Sequence, residues 1–380
     1  MKIKLAIKYN DTLLFVLLGV FCFGGATGRL FLGLSIFDIL LVILFIKSII
    51  NYSISKYTFF LFLIVGIGLV VTFFNVLLID KEYSYFITEL RFYIYLPLYY
   101  QITSTLKIDI EKINKYFRIL LFVYAFIFIF LLENDSYLFE FFNEKRAVEA
   151  YDFVGRISGP QVIFLSVLFF ITLTVNKNIN ILNTVLYAIL IMLIYIKTGE
   201  RTVLLTNVLP LIWIVYEKRN IWMLSIIPIV ASVVPLYVNE TQIKRFKDIL
   251  NPLDDPAFIY RLKNIQVMLL EDMPAYFHCF ITGYGFGSDY NVFVIWHPVE
   301  SYFLDNSFVM FVYKLGIPMA LVLLIFLYSR SWHLSFSTKT YLLIFITIPA
   351  LTSYHLILQP AYLLSYFFAI KAINLHRWKE

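Results

Sequence analysis

The chain has 380 residues, of which 61% are hydrophobic and only 15% charged, and its mean hydropathy is +0.81. Soluble globular domains contain roughly 45–50% apolar and about 25% charged residues, so this composition excludes a soluble protein and predicts an all-α polytopic inner-membrane protein. The formal net charge of +6 then reflects membrane topology and does not indicate nucleic-acid binding. Two cysteines give no disulfide framework, and neither has neighbours at metal-ligand spacing.

Apolar stretches long enough to cross a bilayer, about 20 residues each, recur along the whole chain. They predict about twelve transmembrane helices in a single transmembrane domain, residues 1–380. Twelve spans place both termini on one side, and every short loop on that side carries lysine or arginine, so both termini are predicted to be cytoplasmic. The spans are expected at 12–26, 31–50, 57–79, 85–104, 115–132, 157–175, 180–197, 202–216, 221–238, 306–328, 339–354 and 357–374.

The outer, periplasmic side is predicted to carry seven of the eleven arginines of the chain. This placement is unusual, because basic residues normally stay on the cytoplasmic side. Guanidinium is the side chain best shaped to hold a phosphate group through two parallel hydrogen bonds. We therefore expect these residues to bind a lipid diphosphate at the outer leaflet. The seven are Arg29, Arg91, Arg146, Arg156, Arg201, Arg245 and Arg261.

Arg91 lies in the first part of the fourth predicted span, about one turn below the outer surface. A buried arginine needs a partner, and the nearby Glu89 is expected to face a different side of the helix. Two partners remain open for Arg91, a bound anion or Asp38 of the second span. Asp38 is also open to a purely structural role, as a counter-ion near the inner end of its helix.

The segment 155–161, Gly-Arg-Ile-Ser-Gly-Pro-Gln, opens the sixth predicted span at the same outer level. Glycine and proline leave backbone N–H groups free there, and a helix start with spare N–H groups is a natural anion site. Arg156 is therefore a candidate phosphate ligand. A simple helix cap with an interfacial arginine explains the segment equally well.

The segment 197–202, Lys-Thr-Gly-Glu-Arg-Thr, separates two strongly apolar spans at the outer surface. A charged side chain at the centre of a membrane helix costs roughly 2.5–3.5 kcal/mol, so this concentration of charge indicates function. In that interpretation Arg201 contacts phosphate, and Glu200 orients the arginine or accepts a proton. The alternative is an ordinary polar turn whose long side chains reach the membrane surface.

A long periplasmic loop, residues 239–305, is predicted between the ninth and tenth spans. Loops longer than about 15 residues usually carry function when they lack regular structure. Basic residues, including Arg245 and Arg261, concentrate in its first part, and apolar spacing there predicts short helices around 240–250 and at 258–271 that lie on the membrane.

Glycines alternate with other residues at 283–288, Gly-Tyr-Gly-Phe-Gly-Ser, in the second part of this loop. A dinucleotide-binding fingerprint requires a preceding strand and a following helix within a βαβ unit, so we exclude nucleotide binding. We expect a tight turn that lets the backbone approach a ligand or the membrane.

The end of the loop carries aromatic, acidic and histidine side chains in the stretch that re-enters the membrane. His297, Glu300 and Asp305 are candidate proton acceptors for a sugar hydroxyl, and their spacing is no metal signature. Aromatic side chains offer flat surfaces on which sugar rings stack. The candidate glycan-binding residues are Tyr284, Tyr290, Trp296, His297, Tyr302 and Asn306.

Four motifs taken in order are similar to those of the O-antigen polymerase and O-antigen ligase superfamily. The dozen spans, the large outer loop and the Ser-Ile-Phe-Asp opening of the second span are also similar, so the resemblance covers most of the chain. The motifs are Arg-Ile-Ser-Gly from Arg156, Thr-Gly-Glu-Arg-Thr from Thr198, the glycine-rich segment 283–288, and Asp305-Asn306 followed by Gly316.

The resemblance implies a glycosyltransferase without metal or cofactor that moves a glycan from undecaprenyl diphosphate to a sugar acceptor at the periplasmic face. In the ligase branch a histidine usually precedes the asparagine of the last motif. This chain has Asp305 there, which favours a polymerase. The implied partners are a lipid-linked oligosaccharide donor and acceptor, membrane lipid and, as a candidate, a polysaccharide chain-length regulator, with no nucleic acid.

In the implied mechanism, arginines neutralise the diphosphate leaving group and a carboxylate accepts the proton of the acceptor hydroxyl. Direct displacement inverts the anomeric carbon. The candidate bases are Glu200, Glu300 and Asp305. The candidate diphosphate ligands are Arg201 and Arg156, then Arg91 and Arg261, and Arg245.

Other functions remain open beside the polymerase. A ligase would transfer the glycan to lipid A core. A lipid-linked oligosaccharide flippase, which is no enzyme, would also carry buried cations, but the large outer loop is foreign to it and the internal repeats usual in such carriers are absent from this sequence. A membrane acyltransferase lacks a histidine-based site here, and a pure assembly protein leaves the outer arginines unexplained.

Overall fold

The computed structural model of the protein describes residues 11–20, 36–79, 83, 86–127, 160–175, 181–198, 256–288, 290–294, 297–301, 306–352 and 360–377. These residues form mainly α-helices. The spans predicted at 202–216 and 221–238, and the helix predicted around 240–250, lie outside the described residues.

The helices in chain order are α1 (Asp11–Val20), α2 (Ile36–Asn51), α3 (Lys56–Leu78), α4 (Phe86–Thr105), α5 (Ile110–Ala125), α6 (Pro160–Val175), α7 (Ile181–Thr198), α8 (Pro256–Val267), α9 (Cys279–Thr282), α10 (Ser307–Ser329), α11 (Phe336–Thr352) and α12 (Pro360–Arg377). A π-helical turn, Met268–Asp272, and a single helical turn, Met273–Ala275, continue α8. Two antiparallel strands, β1 (Tyr290–Val294) and β2 (His297–Ser301), form a hairpin that pairs Tyr290 with Ser301 and Val294 with His297.

The apolar stretches predicted at 57–79, 85–104 and 306–328 are confirmed as helices α3, α4 and α10, within one residue at each end. Two of these, α3 and α10, are long and apolar enough to cross a membrane. On α3, the side chains of Phe73 and Leu78 are 68% and 71% exposed, a surface suited to lipid rather than water. The total of twelve spans stays a prediction.

Helix α5 begins at Ile110, five residues before the apolar stretch predicted at 115–132. Asp109 explains the early start, because its side chain accepts hydrogen bonds from the backbone N–H groups of Glu111 and Lys112 and so caps the helix. A hydrogen bond from the Lys112 side chain lowers the pKa of Asp109. The first turn of α5 is therefore polar and solvent-facing.

The predicted loop 239–305 contains helices and a β-hairpin among its described residues. The helix predicted at 258–271 is confirmed as α8 with its π-helical continuation. The hairpin was not predicted, and β1 lies beside α8. Valines at alternate positions, Val292 and Val294, were the sequence signal for it.

Helix α4 occupies the centre of the described structure, because α2, α3 and α12 all pack against it. Its consecutive residues from Tyr95 to Tyr99 are all buried, as expected of a helix enclosed on every side. Helix α12 packs in turn against α6 and α11, while α10 lies against α3, α9 and α11. The two ends of α4 are therefore close to residues of several other helices.

At its C-terminal end α4 is joined to the start of α3 by Gln101. The Oε1 atom of Gln101 accepts hydrogen bonds from the Thr58 hydroxyl at 2.8 Å and from the Ser55 backbone N–H at 3.1 Å. Its Nε2 atom donates to the Ser53 carbonyl at 3.3 Å. Because both the oxygen and the nitrogen of this buried amide bond to residues at or just before the start of α3, the contact fixes α3 and α4 as antiparallel neighbours.

Candidate functional site

Helix α10 is interrupted at Gly316, whose φ of +74° is non-helical. Two residues later Pro318 has no N–H to donate to the Lys314 carbonyl, its normal helical acceptor. The non-helical backbone of Gly316 likewise separates the Tyr313 carbonyl from the helical pattern. An unpaired carbonyl in an apolar helix costs several kcal/mol, so both groups need donors from elsewhere.

The glycine loop, residues 283–288, supplies those donors. The Tyr284 N–H donates to the Tyr313 carbonyl at 2.7 Å, and the Gly285 N–H donates to the Lys314 carbonyl at 3.0 Å. The glycine loop thus supplies the hydrogen-bond donors for two carbonyl groups at a helix break that lies about 30 residues further along the sequence. The loop is part of the helix packing and is not a free surface turn.

Helix α3 holds the same loop from its other side through two polar side chains. The Asn75 Nδ2 group donates to the Gly283 carbonyl at 2.9 Å. The Thr72 hydroxyl accepts from the Phe286 N–H at 2.7 Å while donating to the Gly68 carbonyl at 2.7 Å. These bonds fix the loop against both α3 and α10.

The three loop glycines have positive φ angles, +76° at Gly283, +86° at Gly285 and +79° at Gly287. A Cβ atom at Gly285 would collide with Thr72, and one at Gly287 with the backbone of Phe86. The predicted tight turn is confirmed. The expectation that its backbone approaches a ligand or the membrane is wrong at these positions, because helices α3, α4 and α10 fill that space.

A buried ion pair beside the loop joins α4 to α10. The Lys314 Nζ atom lies 2.9 Å from Glu89 Oε2, and both side chains are fully buried. The Gly287 N–H donates to the same carboxylate oxygen at 2.5 Å. Lys314 also donates to the Ser288 carbonyl and, at 3.1 Å, to the Ser288 hydroxyl. Lys314 and the Oε2 atom of Glu89 therefore each have several partners, as a pair this deep requires, whereas the buried Oε1 atom of Glu89 has no hydrogen-bond partner among the described residues.

Two residues further along α4, Arg91 faces α2. Its Nη2 atom lies 2.5 Å from Asp38 Oδ2, and the Tyr95 hydroxyl hydrogen bonds with both Arg91 Nε and Asp38 Oδ1. Asp38, one of the two open partners, pairs with Arg91, and Glu89 faces elsewhere as expected. The Arg91 side chain is 35% exposed and that of Asp38 only 5%. One side of the guanidinium therefore remains accessible.

The position of Asp38 corrects one expectation. It lies in the first turn of α2, not near the inner end of its helix. Because Asp38 pairs with Arg91 in the first part of α4, helices α2 and α4 run in the same direction. Alternate spans of the predicted topology run in the same direction too, and the first turns of both helices then lie at the predicted outer face.

Two candidate glycan-binding residues are engaged within the protein. Tyr284 is fully buried, with its ring stacked on Tyr313 at a centroid distance of 4.5 Å. Asn306 caps α10 by accepting from the Val309 N–H at 3.1 Å and donates to the Leu351 carbonyl at 3.2 Å. The burial of Tyr284 contradicts its predicted contact with a sugar, because packing against Tyr313 uses the same ring surface. For Asn306 that contact stays a prediction.

The remaining candidates are described in part or not at all. Strand β1 contains Tyr290, strand β2 contains His297 and Glu300, and helix α8 contains Arg261, and the structure describes only the backbone of these four residues. The candidates that lie outside the described residues are Arg29, Arg146, Arg156, Glu200, Arg201, Arg245, Trp296, Tyr302 and Asp305.

Lys314 was missed by reasoning from the sequence, although a signal was present. It is a cation in the apolar stretch that became α10, and ionisable residues inside such segments face the protein interior and a partner. Thr72 and Asn75, three residues apart in apolar α3, gave a similar signal, since they lie on one helix face. None of these residues belonged to a recognised motif.

No group of three or more histidine, cysteine or acidic side chains among the described residues could hold a metal ion. Searches of family models, curated proteins and solved structures find nothing that matches this chain.

Two glycines of α3 provide a matched test of the contact between α3 and the loop. A Cβ atom at Gly68 would collide with the ring of Phe286, which is itself packed on Tyr93 at 4.5 Å. Gly66 has open space at the same position. We expect Gly68→Ala to lower the free energy of unfolding by about 1–3 kcal/mol through overpacking. Gly66→Ala should leave it unchanged or raise it slightly, because alanine favours a helix.

Thermal unfolding of the purified protein in one detergent measures both variants. Equal melting temperatures for Gly68→Ala and Gly66→Ala would contradict the described contact.

The buried ion pair predicts a second stability pattern. Lys314→Met leaves the Glu89 carboxylate buried without its partner and should cost about 3–5 kcal/mol. Adding Glu89→Gln should recover part of that loss, because the amide can still accept from Gly287 without a charge. The matched control, Lys112→Met, removes one partner of an exposed pair with Asp109 and should cost about 1 kcal/mol or less.

Chemical unfolding of the single and double variants completes a double-mutant cycle. Additive losses for Glu89→Gln and Lys314→Met would show that the two side chains do not interact.

Proposed function

We propose that the protein is an O-antigen or surface-polysaccharide polymerase, an inverting and metal-independent glycosyltransferase. It joins undecaprenyl diphosphate-linked repeat units at the periplasmic face of the bacterial inner membrane. The proposal includes about twelve spans, both termini in the cytoplasm and the long loop 239–305 outside. The two apolar helices α3 and α10, together with the composition of the whole chain, support the membrane part of this proposal.

The observation that carries the proposal is the joining of two of the motifs on which the family resemblance rests. The glycine loop donates its backbone N–H groups into the break of α10 at Gly316, the glycine that completes the Asp305-Asn306 motif. Lys314 then ties both to the first turn of α4 through Glu89. Separate motifs gathered into one buried unit indicate a scaffold that positions the ends of the outer loop.

Arg91 lies two residues from Glu89 on this scaffold. Among the described residues its Nη1 atom has no hydrogen-bond partner, while Nε and Nη2 are held by Tyr95 and Asp38. A guanidinium fixed on one side and accessible on the other can contact a phosphate oxygen without first losing rotational freedom. The carboxylate of Asp38 offsets part of its charge, so Arg156 and Arg201 are proposed as the principal ligands of the diphosphate.

The reaction needs charge stabilisation more than bond chemistry. The acceptor hydroxyl oxygen attacks the anomeric carbon of the donor, and the bond from that carbon to the diphosphate oxygen breaks. The electron pair leaves with undecaprenyl diphosphate, whose oxygens the arginines stabilise, an effect that is often the largest in catalysis. The hydroxyl proton passes to a carboxylate, for which Glu200, Glu300 and Asp305 are the candidates.

Purified protein in detergent provides the direct test of function. We mix it only with an undecaprenyl diphosphate-linked repeat unit and a metal chelator, and resolve the products on a gel. A ladder of repeat multiples is the expected result, because donor and acceptor are the same lipid-linked molecule. Absence of a ladder, with transfer on addition of lipid A core, would make the protein a ligase. No transfer to either acceptor would contradict both enzymes and leave the flippase.

Single substitutions test the proposed diphosphate ligands. Arg201→Ala and Arg156→Ala should each lower the polymerisation rate about 100- to 1,000-fold, since removing one donor of this kind costs roughly 2.7–4 kcal/mol. Lysine at either position should restore little, because it cannot form the bidentate fork. The control is Arg118→Ala, an exposed arginine of α5 whose Nε bonds to the Asn114 carbonyl at 3.3 Å.

The gel assay at matched protein concentration compares these variants. Full polymer from both alanine variants would refute the role of these arginines, and equal loss in Arg118→Ala would show a general effect of charge.

A further inference from the structure

A second polar cluster lies at the end of α4 opposite Arg91. Here α3, α4, α10 and α12 surround a cleft of about 360 Å³, the inner cleft, at the end predicted to face the cytoplasm. It is a different place from the proposed transfer site and is separated from it by the length of α4. Its polar lining includes Tyr57, Tyr100, Arg330, His333, Lys371 and Asn374.

The charges of the inner cleft are of one sign. No aspartate or glutamate is among its lining residues, and neither Arg330 nor Lys371 forms an ion pair with any described carboxylate. The Lys371 ammonium donates to the Ser104 carbonyl at 2.8 Å, and this is the one partner of its three N–H groups among the described residues. Two cations close to apolar helices favour an anion between them.

Arg330 is held in place by two tyrosines, but not all of its N–H groups have hydrogen-bond partners among the described residues. Its guanidinium lies 4.0 Å from the centre of the Tyr57 ring, and its Nη1 atom donates to the Tyr100 hydroxyl at 3.3 Å. Its Nε atom is buried and has no hydrogen-bond partner among the described residues. A positioned guanidinium with spare donors is suited to the oxygens of a phosphate group.

Neighbouring side chains indicate the level of the cleft in the membrane. Trp332, two residues after Arg330, is 71% exposed, and the Lys339 ammonium lies 4.5 Å from the centre of its ring. Tryptophan with a nearby lysine is typical of the headgroup layer. On α10, whose last residue Ser329 lines the cleft, Ile325 is 66% exposed, so this helix presents apolar surface suited to lipid one turn before the cleft.

We propose that the inner cleft binds the phosphate of an anionic phospholipid from the cytoplasmic leaflet. Arg330 and Lys371 contact the phosphate oxygens, and hydroxyl groups such as that of Tyr100 contribute further hydrogen bonds. The acyl chains lie against the exposed apolar side chains of α10. The usual excess of basic residues on the cytoplasmic side explains the sign of the charge, but it does not explain why the described lining of the cleft includes two cations and no carboxylate.

Native mass spectrometry of the full-length protein, released from neutral detergent after addition of phosphatidylglycerol, measures retained lipid. We compare wild type with Arg330→Gln/Lys371→Gln and with the control Lys339→Gln, which removes a cation at the same level outside the cleft. Retention of one phosphatidylglycerol should weaken about tenfold or more in the double variant, because the variant removes two cations, each of which attracts the anionic headgroup. Lys339→Gln should retain the lipid as wild type does.

Equal retention by wild type and the double variant, or the same loss in Lys339→Gln, would overturn the site. Tyr100→Phe, which removes a single hydroxyl, and Lys371→Gln alone serve if the double variant does not fold, and both should weaken retention. Excess inorganic phosphate distinguishes the source of the ligand. Unchanged lipid retention in its presence supports a lipid headgroup, whereas complete displacement would overturn the lipid assignment in favour of free phosphate.

Discussion

The break in α10 is the constraint on which the described packing of α3, α4, α10 and the glycine loop depends. In an apolar setting a carbonyl without a donor is costly, and Gly316 with Pro318 leaves two of them on one side of the helix. A chain segment with free N–H groups, and with glycine where the backbones approach most closely, can satisfy both. The glycine loop meets these requirements, so the position of the whole 283–288 segment follows from the interrupted helix.

Once the loop is in place, the charged residues have little freedom. Glu89 and Lys314 are fully buried, and each is held by the loop as well as by the other. Burying such a pair adds little net stability, but its strict geometry favours one arrangement of α4, α10 and the loop over others. Arg91 lies two residues from Glu89 on the same helix and is itself held by Asp38, so its guanidinium is fixed in position. A fixed guanidinium at the predicted outer face is what the proposed binding of a diphosphate requires.

Much of the helical framework could be predicted from local sequence, whereas the site could be predicted only in part. Apolar length located α3, α4 and α10 to within a residue, and the alternating glycines indicated a tight turn. The hairpin at 290–301 was missed because its alternation is short. Tyr284 was assigned to sugar stacking because an aromatic side chain in an outer loop has the same local sequence whether it faces solvent or, as here, Tyr313.

The sequence by itself determined the apolar character of this protein, most of its described helices and the residue types available for binding phosphate, because hydropathy and charge are properties of each residue and its near neighbours. Only the tertiary structure decided which of those residues meet. Asp38 with Arg91, Glu89 with Lys314 and the glycine loop with the break at Gly316 are joined across tens to hundreds of residues. Such pairs are selected by packing and by the need of buried polar groups for partners, and no local pattern encodes that choice.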